Sequence, residues 1–353
     1  MKSDVYFIKT EPKNPEQKIL ALKRLLDETK SVFKCKTGEY LPVKLTIGDS
    51  TCVYNIPPEH VKCVISHIKA KGAKPFLFDT NVIYTGQRQN AVDHLSLAQN
   101  KGFAHSRVGA PFIIADGLFG QDGKEFNINA PNIKKIKVPS FVGMLEGLLV
   151  LSHITGHIIT GYAGAIKNVA MGICCRSTKQ IQHSSLKPVI IAKKCTACEC
   201  CVAICPVKAI SARDKSLVIN PEKCLGCGEC LCACKFDAIS VNWHEDYLIF
   251  AKRITEVANF ILSKFKNKFF LNFAFDITKE CDCISAKDEK MISDDLGILA
   301  SADILSLEKA TADMANKNRK SSFLNDRKNV YGKMLEYAAE IKMGNIEYNL
   351  INL

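Results

Sequence analysis

One cysteine pattern occurs twice in this chain, and it constrains the fold and chemistry more than any other feature. The first copy comprises Cys195, Cys198, Cys201 and Cys205. The second copy has the same spacing and comprises Cys224, Cys227, Cys230 and Cys234. Such spacing is typical of a pair of [4Fe–4S] clusters in which the fourth cysteine of each run ligates the other cluster. The predicted ligand sets are therefore Cys195, Cys198, Cys201 and Cys234 for one cluster, and Cys224, Cys227, Cys230 and Cys205 for the other.

The two copies agree beyond their cysteines, which indicates a pseudo-symmetric unit. Both Cys205 and Cys234 are followed, four residues later, by the pair Ala-Ile. A zinc ribbon would use paired Cys-x2-Cys units and would not need a third cysteine at the same step. A disulfide framework belongs to secreted chains, and we expect no secretory leader after Met1. Cys200 and Cys232 lie inside the motifs but outside the spacing, so they are not predicted ligands.

Composition places these motifs in a larger globular protein. The chain has 353 residues, of which 47% are hydrophobic and 24% are charged, and its formal net charge is +12. The apolar run 147–166 is interrupted by His153 and His157, so we expect no membrane span and a cytoplasmic location. The positive charge is compatible with an acidic redox partner protein, whereas nucleic-acid binding has little support without interleaved aromatic residues.

Hydrophobic periodicity predicts an α/β domain around the motifs. The predicted helices cover 15–30, 57–71, 89–101, 245–266, 302–316 and 327–343, and the predicted strands cover 75–78, 111–115, 148–151 and 269–275. We interpret residues 1–187 and 243–353 as two parts of one domain with a largely parallel sheet. Residues 188–242 would then be an inserted ferredoxin-type module of α+β structure.

Parallel sheets bind ligands beyond the carboxyl ends of their strands. Asp79, Asp116, His153 and His157 follow predicted strands, and we expect them to lie together at that edge.

A glycine-containing loop follows and opens a helix. Gly161 and Gly164 precede Lys167 and Asn168, and exposed helix amides beside a lysine could bind a phosphate or carboxylate. Tight packing explains such glycines equally well. The candidate catalytic residues are His157, Lys167 and Asn168, and the candidate residues for an anionic ligand are Gly161, Gly164 and Lys167.

A second cysteine pair, Cys281 and Cys283, flanks Asp282 after the 269–275 strand. In extended backbone both thiols would share one face. A third metal site, a redox dithiol and a pair of inert buried thiols all remain open.

Together these stretches resemble the DUF362 family of iron–sulfur proteins. The matching segments are 79–84, 90–95, 115–117, 156–157, 161–172, His183, 281–283 and 295–301. The chain departs from the family pattern at 302–304 and at Glu308, where the family usually carries an aspartate-proline run and a further aspartate. The resemblance implies an α/β body interrupted by a two-cluster ferredoxin module, and it implies no substrate.

Three functions fit these features. The first is an iron–sulfur protein with two [4Fe–4S] clusters that passes electrons to a redox partner. The second is an oxidoreductase that acts on a small anion in the α/β domain and is fed by the clusters. The third is a redox sensor with structural clusters. We expect the first.

Overall fold

The structure is a computed structural model, and it describes the whole chain except residues 1, 11–13, 85, 184–186, 215, 225–228, 237, 242–246, 284–288, 319 and 321–328. The strands are β1 (Ser3–Lys9), β2 (Tyr40–Lys44), β3 (Lys74–Asp79), β4 (Phe112–Ile114), β5 (Lys124–Asn127), β6 (Lys135–Val138), β7 (Gly147–His153), β8 (Thr155–His157), β9 (Gly161–Ala163), β10 (Pro188–Ile190), β11 (Ile210–Arg213), β12 (Ser216–Ile219), β13 (Ile239–Val241), β14 (Asn267–Ala274), β15 (Gly297–Ser301) and β16 (Tyr348–Asn352). The α-helices are α1 (Pro15–Glu28), α2 (Pro58–Ala70), α3 (Ala91–Ala98), α4 (His105–Val108), α5 (Ala165–Gly172), α6 (Arg176–Gln182), α7 (Cys200–Ile204), α8 (Glu229–Ala233), α9 (Tyr247–Ser263), α10 (Ile304–Lys317) and α11 (Val330–Glu340).

An eight-stranded sheet in the order β16-β1-β15-β14-β7-β2-β3-β4 organises the molecule. The neighbours β14, β7, β2, β3 and β4 are mutually parallel, and so are β1 and β16. Only β15 is antiparallel to both of its neighbours. The predicted α/β fold with a mostly parallel sheet is confirmed.

Alternation along the central strand β7 builds a core on each face of the sheet. Leu148 and Val150 pack with α5, α9, α10 and α11, whereas Leu149 and Leu151 pack with α1 and α2. All of β7 is buried, as expected for a parallel strand covered by helices on both sides.

Most predicted helices and strands agree with the observed ones to within a few residues. α1 begins at a proline, and Asn14 caps it by accepting a hydrogen bond from the Gln17 N–H. The helix predicted over 89–101 is shorter in the structure. α3 ends at Ala98, and the chain then makes one wider π-helical turn over Gln99–Phe103.

Residues 188–241 form a small unit with its own core. Its two antiparallel pairs, β10 with β13 and β11 with β12, enclose Ile210, Leu217, Leu231 and Ile239 together with the cysteines. The strands β7 and β14 lie on either side of this unit in sequence and pair directly in the sheet. Residues before and after the unit therefore complete one sheet. The predicted boundary at Asn242 lies outside the described residues.

None of the helices in the described part of the chain has both the length and the apolar character that crossing a membrane requires.

Candidate functional site

Cysteines from both motifs line the first of two cavities in the small unit. Its cysteines include the predicted set Cys195, Cys198, Cys201 and Cys234, with Cys200 beside them. The cysteine from the second motif reaches this cavity because α7 and α8 pack against each other.

The second cavity has the reciprocal composition. Cys205 of the first motif lines it together with Cys224 and Cys230 of the second. Pro206 and Glu229 also contribute to its wall. The remaining predicted ligand, Cys227, lies outside the described residues.

The Ala-Ile pair that the two repeats share has a structural role. The N–H of Ala209 donates to Cys205 Sγ at 3.2 Å, and the N–H of Ala238 donates to Cys234 Sγ at 3.4 Å. The isoleucines that follow, Ile210 and Ile239, are buried in the core of the unit. The repeat therefore preserves one amide donor aimed at the fourth sulfur of each motif.

Within the described ranges, no three His, Cys, Asp or Glu side chains are close enough together to hold one metal ion. The thiolates of a [4Fe–4S] cluster bind four separate iron atoms, so they stand further apart than the ligands of a single ion.

Helix α6 connects the small unit to the α/β domain. It contacts α8, which carries Glu229 and Cys230 at the second cavity. Gln121 Nε2 also donates to Glu229 Oε2 at 3.5 Å. On the other side of α6, Lys179 Nζ donates to Thr80 Oγ1 at 2.8 Å, beyond the end of β3. The second cavity is therefore the one adjacent to the α/β domain.

Asp79 is the centre of a buried charge cluster at the carboxyl edge of the sheet. Lys44 Nζ lies 3.0 Å from Asp79 Oδ1, and Arg88 and His94 lie 3.9 and 3.7 Å from Oδ2. Burial alone raises the pKa of Asp79, but Lys44 and the other cations outweigh it and hold the pKa below its usual value. Burial lowers the pKa of His94 to about 3, so this ring is neutral at physiological pH.

Asp116 belongs to the same cluster but has a different electrostatic state. Its Oδ1 accepts hydrogen bonds from the Asn81 backbone N–H at 2.9 Å and from Asn81 Nδ2 at 3.0 Å. Burial raises the pKa of Asp116 to about 7, and Lys179 only partly opposes this. Two neighbouring carboxyl groups thus have pKa values shifted in opposite directions, a feature that is common in functional sites.

Asp116 should make the stability of the fold depend on pH. Burial raises the pKa of Asp116 from 3.8 in the unfolded chain to about 7 in the folded protein. The stability that the protonated carboxyl contributes is therefore complete below about pH 4 and is lost as pH rises through 7. We expect the free energy of unfolding of the wild type, relative to Asp116→Asn, to fall between pH 5 and 7 by roughly 1.4 kcal/mol per pH unit. Urea denaturation across this range measures the difference, and parallel curves for the two proteins would contradict the assignment.

His153 lies in a separate network formed with the second cysteine pair. Its Nδ1 is 2.8 Å from Asp282 Oδ1, and its Nε2 is 2.9 Å from the Phe275 carbonyl oxygen. Both ring nitrogens face acceptors, which favours the doubly protonated ring. Burial lowers the pKa of His153, but Asp282 outweighs it and the pKa is raised. Cys281 and Cys283, on either side of Asp282, are joined in a disulfide.

The glycine loop binds a carboxylate of the chain itself. The N–H of Ala165, at the start of α5, donates to Glu308 Oε1 at 2.6 Å. A Cβ on Gly164 would lie 2.3 Å from that oxygen, and Gly161 has a φ of +80°. The structure thus supports the packing explanation for these glycines, and Glu308 occupies the place where an external anion was expected.

The three candidate catalytic residues are not brought together around one ligand. Lys167 Nζ lies 3.8 Å from Cys283 Sγ, and its charge contributes to lowering the pKa of His157. Asn168 Nδ2 donates to the Leu151 carbonyl oxygen at 2.9 Å and so ties α5 to β7. His157 Nδ1 accepts from the Thr160 N–H at 3.1 Å, and burial lowers the pKa of this ring well below its usual value. Of the four residues expected at the edge, only Asp79 and Asp116 share a cluster.

Sequence reasoning missed the cations of that cluster. Lys44 ends the short strand β2, and its side chain is 1% exposed although lysine is rarely buried. Arg88 and Lys179 lie on a loop and a short helix whose placement no local pattern reveals. The carboxylates at the strand ends and the resemblance at 79–84 pointed to this region, but neither indicated the cations.

Comparison with known proteins gives one extended match and two distant structural likenesses. The family described as "Domain of unknown function (DUF362)" matches residues 43–313. No curated protein is significantly similar to the chain.

Two solved structures are similar at low identity. A crystal structure of a Thermotoga maritima protein is 12% identical, with 94% of this chain and 60% of that chain covered and a TM-score of 0.43. The lactate racemase apoprotein from Thermoanaerobacterium thermosaccharolyticum is 13% identical, with 78% and 51% covered and a TM-score of 0.37. The chain therefore spans 60% and 51% of the lengths of these two proteins. Because the family match extends over well more than half of its residues, the chain belongs to the DUF362 family.

Proposed function

We propose that residues 188–241 form a ferredoxin-type unit that holds two [4Fe–4S] clusters and that the protein transfers electrons one at a time. The observation that carries the proposal is the exchange of cysteines between the two cavities. Cys234 joins three cysteines of the first motif, and Cys205 joins two described cysteines of the second. If the thiols were only core residues, packing alone would not be expected to group them in the ligand pattern of two clusters.

The surroundings of the thiols also favour this role. Cys205 and Cys234 would be ligands of different clusters, and each accepts one backbone N–H bond from its matching alanine. Hydrogen bonds to ligand sulfur stabilise the added negative charge of the reduced state. When bound, each cluster supplies a one-electron couple. The chain contributes the thiolates, the amide donors and the apolar residues around them.

Exposed basic residues of the small unit, which outnumber its exposed acidic residues Glu199, Asp214 and Glu222, fit an acidic redox partner protein. The basic residues are Lys193, Lys194, Lys208, Arg213, Lys223 and Lys235. Phe236 lines the first cavity and is 47% exposed, so it offers an apolar contact close to the proposed cluster. Cationic surroundings with an apolar centre suit a transient electron-transfer complex.

Anaerobic reconstitution tests the proposal. We expect about eight iron atoms and about eight acid-labile sulfides per chain. The Cys200→Ser variant is the matched control and should retain both clusters, because Cys200 lies in the motif but outside the spacing. The reduced protein should pass electrons to an acidic carrier protein at a rate that falls as salt is added, whereas reduction of a neutral small acceptor should not depend on salt.

Binding of zinc, or saturation at about four iron atoms, would contradict the two-cluster assignment. Full iron content without electron transfer to any one-electron acceptor would instead favour a structural or sensory role for the clusters.

A further inference from the structure

The pair formed by Cys281 and Cys283 stands apart from the other thiols of the chain. Among the cysteines that the structure describes, these two are the ones joined in a disulfide. They follow β14 at the carboxyl edge of the parallel strands, where α/β sheets place their reactive groups. They belong to neither cluster cavity.

A structural role explains this disulfide poorly. A disulfide stabilises a fold mainly by restricting the unfolded chain, and the restriction grows with the length of the loop it closes. Here the loop contains a single intervening residue, Asp282. Almost no unfolded-state entropy is removed, so the bond contributes little to stability.

The backbone around the pair is held in place from several directions. The Asp49 N–H donates to the carbonyl oxygen of Asp282 at 2.8 Å. The side-chain Oδ1 of Asp282 lies 2.8 Å from His153 Nδ1. These contacts do not involve either sulfur. The turn should therefore keep its shape whether the sulfurs are bonded or free, which is what a reversible couple requires.

The two sulfurs differ in access and in charge. Cys281 is 4% exposed, whereas Cys283 is only partly buried. Lys167 Nζ lies 3.8 Å from Cys283 Sγ and is placed to stabilise negative charge on that sulfur. Burial lowers the pKa of Lys167 to about 8, and Asp282 opposes that shift, so the ammonium form still predominates at neutral pH.

We propose that Cys281 and Cys283 are a redox-active dithiol in which Cys283 attacks the disulfide bond of a substrate and Cys281 resolves the product. The Cys283 thiolate forms a mixed disulfide with one substrate sulfur, and the other substrate sulfur leaves and takes up a proton. The Cys281 thiol then loses its proton and attacks Cys283 Sγ, which releases the second substrate thiol. One dithiol is oxidised and one disulfide is reduced by two electrons. This activity goes beyond cluster binding and does not depend on it.

Trypsin releases residues 280–287 as one peptide, and the cysteines in this peptide are Cys281 and Cys283 alone. The peptide therefore reports on this pair separately from all other thiols. The full chain is equilibrated in redox buffers from oxidised glutathione to dithiothreitol, and free thiols are then alkylated and counted in this peptide by mass spectrometry. We expect the two thiols to appear and disappear together within this range. A pair that stays oxidised in excess dithiothreitol, or that is protected by a bound metal, would overturn the proposal.

Single substitutions separate the roles of the two sulfurs. With oxidised glutathione, Cys281→Ser should accumulate a stable mixed disulfide at Cys283, whereas Cys283→Ser should accumulate almost none at the buried Cys281. Equal trapping by both variants, or trapping by neither, would overturn the assignment. Iron content measured on the same samples reports on the clusters separately, so failure of one proposal is distinguishable from failure of the other.

The lysine has a matched control. Lys167→Met should slow alkylation of Cys283 at neutral pH by roughly tenfold, because loss of a neighbouring cation raises the pKa of a thiol. Lys62→Met, at an exposed position on α2, should leave the rate unchanged. An unchanged rate in Lys167→Met would show that this lysine does not activate the thiol.

Discussion

Replacement of Cys234 by serine should empty the cavity lined by the first motif, even though Cys234 belongs to the second. We expect the iron content of the reconstituted protein to fall from about eight to about four atoms or fewer. The reason is the exchange of the fourth cysteine, which places Cys234 with Cys195, Cys198 and Cys201. Because metal binding and folding are coupled in a unit with so small a core, the other cluster should also become less stable.

Double variants make the test specific. Cys198→Ser combined with Cys234→Ser should lose no more iron than Cys234→Ser alone, because both thiols line one cavity. Cys224→Ser combined with Cys234→Ser should lose nearly all iron, because Cys224 lines the other cavity. If the first double variant lost all iron and the second only half, each motif would hold its own cluster and the exchange would be wrong.

Replacement of Asp79 by asparagine should cost about 3–5 kcal/mol of unfolding free energy, because it leaves buried cations without a counter-charge. Lys44 lies 3.0 Å from the carboxylate, and both side chains are almost inaccessible to water. Asparagine has nearly the same volume, so the loss reports on charge and not on packing. The urea midpoint of the α/β domain measures it, provided that the m-value is unchanged.

An exposed ion pair provides the control for this experiment. Glu125 on β5 and Lys135 on β6 form a diagonal ion pair with more than half of each side chain exposed. Glu125→Gln should therefore cost about 1 kcal/mol or less. A similar small loss for Asp79→Asn would mean that water reaches the Lys44 ammonium, and that the cluster is not a closed electrostatic unit.

Hydrophobic periodicity predicted those helices and strands that bury one face against a hydrophobic core and expose the other. In α1 the residues Leu22, Leu25 and Leu26 form a stripe at helical spacing, and the prolines at the starts of α1 and α2 mark their first turns. The strands β1 and β16 were not predicted, because both lie at an edge region where burial alternates only weakly. The antiparallel strand β15, which has five residues and is buried throughout, was also not predicted.

The candidate site was predictable only where spacing along the chain sets the geometry. The cysteine motifs are local, so the sequence predicted which thiols share a cavity. The pairing of Ala165 with Glu308, and of Lys44 with Asp79, depends on how distant elements pack. Glu308 could be recognised in the sequence only as a departure from the family pattern. Its role in capping α5 became apparent from the fold.

The topology of the sheet also affects how the chain emerges during synthesis. Val5 and Tyr6 in β1 pair with Leu350 in β16 and with Ala300 in β15, so nearly three hundred residues are made before this strand has a partner. During that time its backbone groups present an unprotected edge that invites aggregation. Pairing at such long sequence separation is slow, since a large loop must close first. The unit at 188–241 makes its strand pairs internally, so it can form before the sheet closes. A cell that makes this protein therefore has to shield an open sheet while the small unit can already fold.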